Sequence, residues 1–143
     1  MIETFATLTA AGDWLAEAMN SHLQGWLTTV DPDGTPQPTT VWFCRDGESV
    51  LIYSRPGKQK LRNIRANPRV SFHLNSDSLG EKWVVMTGTA RVDTAIPPFT
   101  QVPAYHNKYQ EALQQWGFDA KATEEAYSVP VRVEPSRIRL RIR

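Results

Sequence analysis

The chain has 143 residues, a net charge of +1 and 22% charged residues. This near-neutral balance argues against a nucleic-acid or membrane-surface partner, because such partners select strongly basic faces. The lone Cys44 excludes an internal disulfide and favours a reducing, cytoplasmic compartment. We also expect no membrane-spanning run and no secretory leader, and at this length a single domain over residues 1–143.

The first third of the chain predicts one helix and a three-stranded meander. Apolar residues near helical spacing over Phe5–Met19 predict a helix that plugs one end of the core. The three strands are predicted over Leu23–Val30, Thr35–Arg45 and Ser49–Ser54. Pro36 and Pro38 have no N–H group to donate, so the first half of the second strand should lie at an edge or a bulge.

The remaining elements also favour a mainly β fold. A short helix over Lys58–Ala66, a strand over Val70–Leu74 and a long strand over Trp83–Val92 come next. The long strand contains Gly88, which suits a bulge. Helices over Tyr105–Trp116 and Asp119–Tyr127 precede an alternating strand over Val129–Arg143. Six or seven strands with few helices predict a small antiparallel β-barrel with peripheral helices.

The segment Arg55–Lys60 combines a glycine turn with two lysines directly after a strand. A phosphate needs several donors that converge on it; Gly57 would let the backbone approach, and the Ser54 hydroxyl adds a donor. This order suits a site that holds the phosphate end of a flat ligand. A solvated turn followed by a basic helix face explains the same residues, and spacing alone favours that simpler interpretation by roughly two to one.

Other site types have little support in the sequence. Gly57-Lys58 lacks both the earlier glycine and the following Ser or Thr of a nucleotide-binding P-loop. The three histidines, His22, His73 and His106, are far apart, so no metal site is predicted. Trp42 lies on a strand beside the cationic segment and could stack on a flat ring, although core packing is the simpler role for any one tryptophan.

Several short motifs, taken in order, resemble the signature of the pyridoxamine 5′-phosphate oxidase-like split-barrel flavoproteins. They are Tyr53-Ser54, Lys58-Gln59-Lys60, Asn63-Ile64 and Asn67-Pro68-Arg69-Val70-Ser71. The resemblance covers about half the chain, from Gln24 to Asp93. The runs Thr40–Phe43 and Lys60–Ile64 look closest to the branch that uses the deazaflavin coenzyme F420. This resemblance implies an FMN-binding type of split β-barrel, a homodimer, and two cofactor sites at the subunit interface.

The resemblance also assigns cofactor-binding positions. Ser54 and Lys60 would hold the cofactor phosphate, and Lys58 would add a second cation. The other positions either line the ring or lie beside the phosphate segment: Thr40, Val41, Trp42, Tyr53 and Asn63. No catalytic acid or base is implied, and Tyr53, His73 and Tyr105 are the conceivable proton donors.

Two departures from the family pattern narrow the expected activity. Gln59 stands where the pyridoxamine oxidases have arginine, and Trp83 stands where they have a ring-contacting glutamine. Their C-terminal substrate-binding pattern is also missing, so vitamin oxidation is not expected. The resemblance implies an F420-dependent reductase that transfers hydride between the deazaflavin and a small organic substrate. The alternatives are an FMN-dependent oxidoreductase on the same fold and a non-catalytic cofactor-binding or haem-binding protein.

Overall fold

The computed structural model of the chain describes residues 12–142. The described part contains four helices, seven strands and one short 3-10 turn at Phe99–Gln101. The helices are α1 (Gly12–Ser21), α2 (Gln59–Ala66), α3 (Pro103–Gln115) and α4 (Ala120–Ala126). The strands are β1 (Gly25–Val30), β2 (Pro36–Val41), β3 (Phe43–Asp46), β4 (Ser49–Ser54), β5 (Arg69–His73), β6 (Trp83–Val92) and β7 (Val129–Arg141).

The seven strands form one antiparallel sheet in the order β2-β1-β5-β6-β7-β4-β3. Strands β2 and β3 are therefore at opposite edges, although only Trp42 separates them in the chain. A sheet whose two edges are joined by one residue must curl until those edges meet. The prediction of a mainly β, six- to seven-stranded antiparallel fold with peripheral helices is confirmed.

The predicted second strand, Thr35–Arg45, is wrong as a single element. Its first part pairs with β1, with Val41 opposite Gly25, and its second part pairs with β4, with Phe43 opposite Ile52. The chain thus changes from one sheet edge to the other at Trp42, and no three-stranded meander forms. The edge position predicted from the two prolines is confirmed, because β2 is an edge strand.

The main core fills the concave side of the sheet. Strand residues that alternate along the chain point inward, and α1 and α2 add apolar side chains of their own. The most deeply buried strand residues are Leu27, Phe43, Val50, Ile52, Phe72, Val84 and Val131. From the helices, Leu15 and Met19 of α1 and Leu61 and Ile64 of α2 complete the core. Of the predicted helix Phe5–Met19, residues 5–11 lie outside the described part, and the rest packs into the core as expected.

A bulge between β6 and β7 lies at Gly88, where the two backbones approach closely. The register shifts between Thr87 and Gly88, which confirms the irregularity predicted there. A Cβ atom on Gly88 would lie 2.1 Å from the carbonyl oxygen of Glu134. The same shift changes which residues of β7 point inward, so that Val133 and Ile138 both reach the core.

A second apolar cluster lies on the other face of β3 and β4, where α3 covers them. It consists of Cys44, Leu51, Tyr53, Phe99, Tyr105, Tyr109 and Leu113. The turn after α3 leaves Trp116 73% exposed. Between residues 12 and 142, no helix combines the length and apolarity needed to cross a bilayer.

We predict that Gly88→Ala lowers the free energy of unfolding by about 2–4 kcal/mol, because the added methyl group forces two backbones apart. Urea unfolding followed by circular dichroism would measure the loss. Gly12→Ala is the matched control, since a Cβ at Gly12 meets nothing within 4 Å. Equal stability of the two variants would show that the strands tolerate a wider separation.

Candidate functional site

A cleft of about 510 Å³ lies between the sheet and the α3–α4 pair. This volume falls within the range of about 300–1,000 Å³ that is usual for small-molecule sites. The sheet side contributes Gln24, Thr40, Val41, Trp42, Tyr53, Arg55 and Lys60, the last of them from α2. The opposite side contributes Phe99, Tyr105, Gly117, Phe118, Asp119, Ala122, Thr123, Ala126 and Tyr127.

The cleft brings together most of the positions predicted for a cofactor. Those that line it are Thr40, Val41, Trp42, Tyr53 and Lys60. The other predicted positions, Ser54, Lys58 and Asn63, lie outside its lining. Lys60, which belongs to the predicted phosphate segment, thus lines the same cleft as the predicted ring positions.

The Trp42 ring is held in place by α3. It stacks on the Tyr109 ring with the centroids 4.3 Å apart and the planes 3° from parallel. The Tyr109 hydroxyl accepts a hydrogen bond from the Phe43 N–H and lies within hydrogen-bond distance of the Phe43 and Leu23 carbonyl oxygens. Phe43 directly follows the break between β2 and β3. The Tyr109 hydroxyl therefore satisfies the Phe43 backbone groups at this break, while the Tyr109 ring supports Trp42.

Lys108, the neighbour of Tyr109 on α3, reinforces the same junction. Its ammonium group donates to the carbonyl oxygens of Met19 and Phe43, each at 2.8 Å, and lies 3.5 Å from the centroid of the Phe43 ring. Burial removes water from this ammonium and lowers the pKa of Lys108 to about 7. The last turn of α1, the start of β3 and α3 are therefore joined through one buried lysine.

The cationic end of the cleft is formed by the turn that leads into α2. Gly57 has a φ of 73°, and its carbonyl oxygen accepts a hydrogen bond from Arg62, which fixes the turn. Lys58 is exposed, whereas Lys60 is half-buried. Burial, together with the positive charge of Lys58, lowers the pKa of Lys60. In the described part of the chain neither lysine forms an ion pair, so the two charges have no anion beside them.

Two of the remaining predicted positions are bonded within the protein. Asn63 is buried; it donates to the Thr29 hydroxyl and accepts from Gln59. The Ser54 hydroxyl is also buried and donates to the Arg55 carbonyl oxygen. Gln59, the departure from the family pattern, is engaged on α2 with both Asn63 and Arg62.

The conceivable proton donors divide between two faces of the molecule. Burial raises the pKa of Tyr53 and of Tyr105, so both hydroxyl groups in the cleft keep their protons at neutral pH. The Tyr53 hydroxyl donates to the carbonyl oxygen of Pro97. His73 lies on β5 and is absent from the cleft lining, and burial lowers its pKa.

Sequence reasoning missed the wall of the cleft opposite the sheet. Phe118, Asp119 and Tyr127 come from the end of the α3–α4 turn and from the two ends of α4. Arg55 was predicted only as part of a cationic turn, yet its guanidinium carbon lies 4.9 Å from the centroid of the Tyr127 ring. These contacts join distant parts of the chain, so no local pattern could reveal them.

A search for metal ligands within residues 12–142 finds no group of three or more His, Cys, Asp or Glu side chains that could hold an ion. The cleft itself offers aromatic surfaces, the cations of Arg55 and Lys60, and the hydroxyl groups of its tyrosines.

The comparison with family models identifies the chain. The model described as pyridoxamine 5′-phosphate oxidase matches residues 12–141. The chain belongs to this family. A pyridoxine/pyridoxamine 5′-phosphate oxidase of Bradyrhizobium diazoefficiens is 31% identical over 114 residues, which cover 71% of this chain and 54% of that protein. An oxidase of the same name from Edwardsiella ictaluri is 31% identical over 58% of this chain and 40% of its own length. The chain thus spans about half the length of the curated relatives it matches.

Solved structures share the split-barrel fold of this family. A conserved hypothetical protein of Mycobacterium tuberculosis has a TM-score of 0.73 at 23% identity and covers 98% of this chain and 89% of its own. A structure described as an F420 reductase has a TM-score of 0.62 at 27% identity, covering 86% and 94%. A haem storage protein of Vibrio cholerae has a TM-score of 0.66 at 15% identity, covering 93% and 96%. The suspected family and its fold are confirmed.

We predict that Lys108 makes the protein more stable as the pH rises from about 7 towards 10. The pKa of Lys108 is about 7 when folded and 10.5 ordinarily, so between these values the unfolded chain binds more protons. The slope would reach up to about 1.4 kcal/mol per pH unit. Urea titrations at several pH values should show this slope in the wild type and its loss in Lys108→Met. Parallel pH profiles for the two proteins would contradict the prediction.

Proposed function

We propose that this protein is an oxidoreductase of the pyridoxamine 5′-phosphate oxidase family that uses F420 and transfers hydride to or from a small organic substrate. The observation that carries the proposal is the cleft itself, in which the stacked Trp42 ring and the half-buried Lys60 line one cavity, while neither Lys60 nor its neighbour Lys58 forms an ion pair within residues 12–142. The similarity to the F420 reductase, at 27% identity, supports the choice of the deazaflavin.

The residues of the cleft fit such a cofactor. Lys60 is half-buried beside Lys58, and an anionic phosphate would offset their repulsion and raise the pKa of Lys60 again. Thr40 and Val41 border the Trp42 ring, so an apolar surface adjoins the cationic end. The Ser54 hydroxyl lies where β4 leads into the turn before α2. It donates to the Arg55 carbonyl oxygen, and its own oxygen can still accept a hydrogen bond.

When bound, the deazaflavin would supply the hydride chemistry, and the chain would bind and orient it. Trp42 cannot tilt freely because Tyr109 stacks on it, so it presents a fixed surface to a flat ring. The aromatic lining of the cleft excludes water from that surface. Tyr105 is the residue best placed to hold a proton near a substrate, because the Tyr53 hydroxyl already donates to a carbonyl oxygen.

Two other functions remain alternatives, each with its own support. The curated relatives are oxidases by name, which supports an FMN-dependent oxidoreductase. The likeness to the haem storage protein raises a binding role without turnover, on the fold alone. Titrating the purified protein with F420, FMN and haemin, followed by tryptophan fluorescence, would separate the three. A yellow preparation whose released chromophore is FMN would displace the F420 proposal.

We predict that changing both Lys58 and Lys60 to alanine weakens cofactor binding by about 100-fold or more, since each charge-assisted phosphate contact contributes about 1.5–3 kcal/mol. Isothermal titration calorimetry with F420 and with FMN would measure the change. The control is Arg65→Ala combined with Lys82→Ala, which removes the same charge from exposed positions. If the lysine variant keeps wild-type affinity, the phosphate does not bind at these residues.

A homodimer is part of the same proposal, because one face of the sheet lacks a covering layer. Trp26, His73 and Val85 lie in one row across β1, β5 and β6, are half-buried, and belong to neither apolar cluster of residues 12–142. The Trp26 and His73 rings stack 6.3 Å apart. The row continues to Thr40, which lines the cleft, so a second copy on this face would border the proposed cofactor.

We predict that the wild type elutes at twice the chain mass in size-exclusion chromatography with light scattering, and that Val85→Glu elutes as a monomer. A carboxylate in the middle of an apolar interface loses its water without gaining a partner. Gln114→Glu, which adds the same charge to an exposed position on α3, should stay dimeric. A wild-type monomer at all concentrations would remove the dimer from the proposal.

We also infer a cytoplasmic location from the buried free thiol of Cys44, which cell fractionation would test.

A further inference from the structure

Arg55 is a second cation in the cleft, set apart from the lysine pair by its contact with α4. Its guanidinium carbon lies 4.9 Å from the centroid of the Tyr127 ring, and both residues line the cleft. A guanidinium that rests on an aromatic face keeps the N–H donors at its edge available for a carboxylate. Arg55 forms no ion pair with any residue between 12 and 142.

Two acidic groups at the α4 side of the cleft, Asp119 and Glu124, are engaged within the protein. Asp119 lines the cleft, but its carboxylate accepts the N–H group of Ala122 and caps α4. Glu124 on α4 accepts hydrogen bonds from the hydroxyl and the backbone of Thr100. With Lys60 and Arg55 facing one capping carboxylate, the charged lining of the cleft is net positive.

The α4 side of the cleft is lined by small residues. Ala122 and Ala126 are four residues apart and share one face of the helix, and both line the cleft. Phe118 borders this surface at one end and Tyr127 at the other. None of the residues of α4 is fully buried, so packing within the protein does not cover this face of the helix.

We propose that Arg55, supported by Tyr127, receives the acidic group of a planar aromatic substrate that lies along Ala122 and Ala126. This inference rests on the proposed function, in which the lysine pair holds the cofactor phosphate. The substrate class is then an aromatic carboxylate, sulfonate or phenolate, and the anion determines its orientation against the ring on Trp42.

The test uses two probes that share one aromatic framework and differ by a single sulfonate group. 8-Anilinonaphthalene-1-sulfonate is an aromatic anion with a flat naphthalene ring, and N-phenyl-1-naphthylamine is its uncharged counterpart; both report binding by fluorescence. The wild type should bind the anion at least about 10-fold more tightly than the neutral probe, as one charge-assisted contact predicts. Arg55→Met should reduce this preference to about twofold, whereas Arg65→Met, on the exposed face of α2, should keep it. A preference that survives Arg55→Met overturns the inference.

Further variants locate the probe in the cleft. Ala122→Phe should weaken both probes at least about 10-fold, because the ring covers the surface of small residues without changing a charge. If the probes bind Ala122→Phe as well as the wild type, they bind elsewhere and the inference fails. The anionic probe should also bind when F420 saturates the protein, and its displacement by F420 would show that both use one position, which also overturns the inference.

The cofactor titrations separate this inference from the proposed function. Arg55→Met should bind F420 within about twofold of the wild type, because the lysine pair is intact. A large loss of F420 affinity in Arg55→Met would assign the arginine to the cofactor and end the inference, while the proposed function would stand. A wild type that binds neither F420 nor FMN would end the proposed function, whatever its preference for the anionic probe.

Discussion

The structure depends on how the backbone is held where it passes from one edge of the sheet to the other. There β2 has ended and β3 begins, and the N–H and C=O groups of Phe43, the first residue of β3, meet side chains of α3. Tyr109 and Lys108 satisfy these groups, and Tyr109 also supports the Trp42 ring. Barrel closure and the floor of the cleft are thus maintained by the same two neighbouring residues of one helix.

The cleft combines rigid aromatic surfaces with charges that are left unsatisfied. Lys60 loses hydration and lies near Lys58, an arrangement that costs stability unless an anion is present. In a protein that is otherwise close to neutral, such uncompensated charge is concentrated where a ligand can offset it. Arg55 is stabilised by an aromatic face instead, so the two cationic positions differ in hydration and in the anion geometry they favour.

The parts of the fold that follow local rules could be predicted from the sequence. Proline placed β2 at an edge, and Gly88 marked the irregular pairing of β6 and β7. The break at Trp42 could not be predicted, since a continuous β-rich run pairs equally well as one strand or two, and only distant partners decide. The family resemblance predicted the residues of β2 and β4 that line the cleft. Helix α4 forms the opposite wall through contacts between distant parts of the chain. No local sequence pattern marks such contacts, so this wall was not predicted.

The sheet order has a consequence for the order of synthesis. Strand β7 lies between β6 and β4, and of the seven described strands it is the last to leave the ribosome. Until it emerges, the nascent chain holds two separate β-units, one made of β1, β2, β5 and β6 and the other a β3–β4 hairpin. Each unit then exposes a strand edge that β7 will later cover, so premature release would leave two unpaired edges prone to self-association.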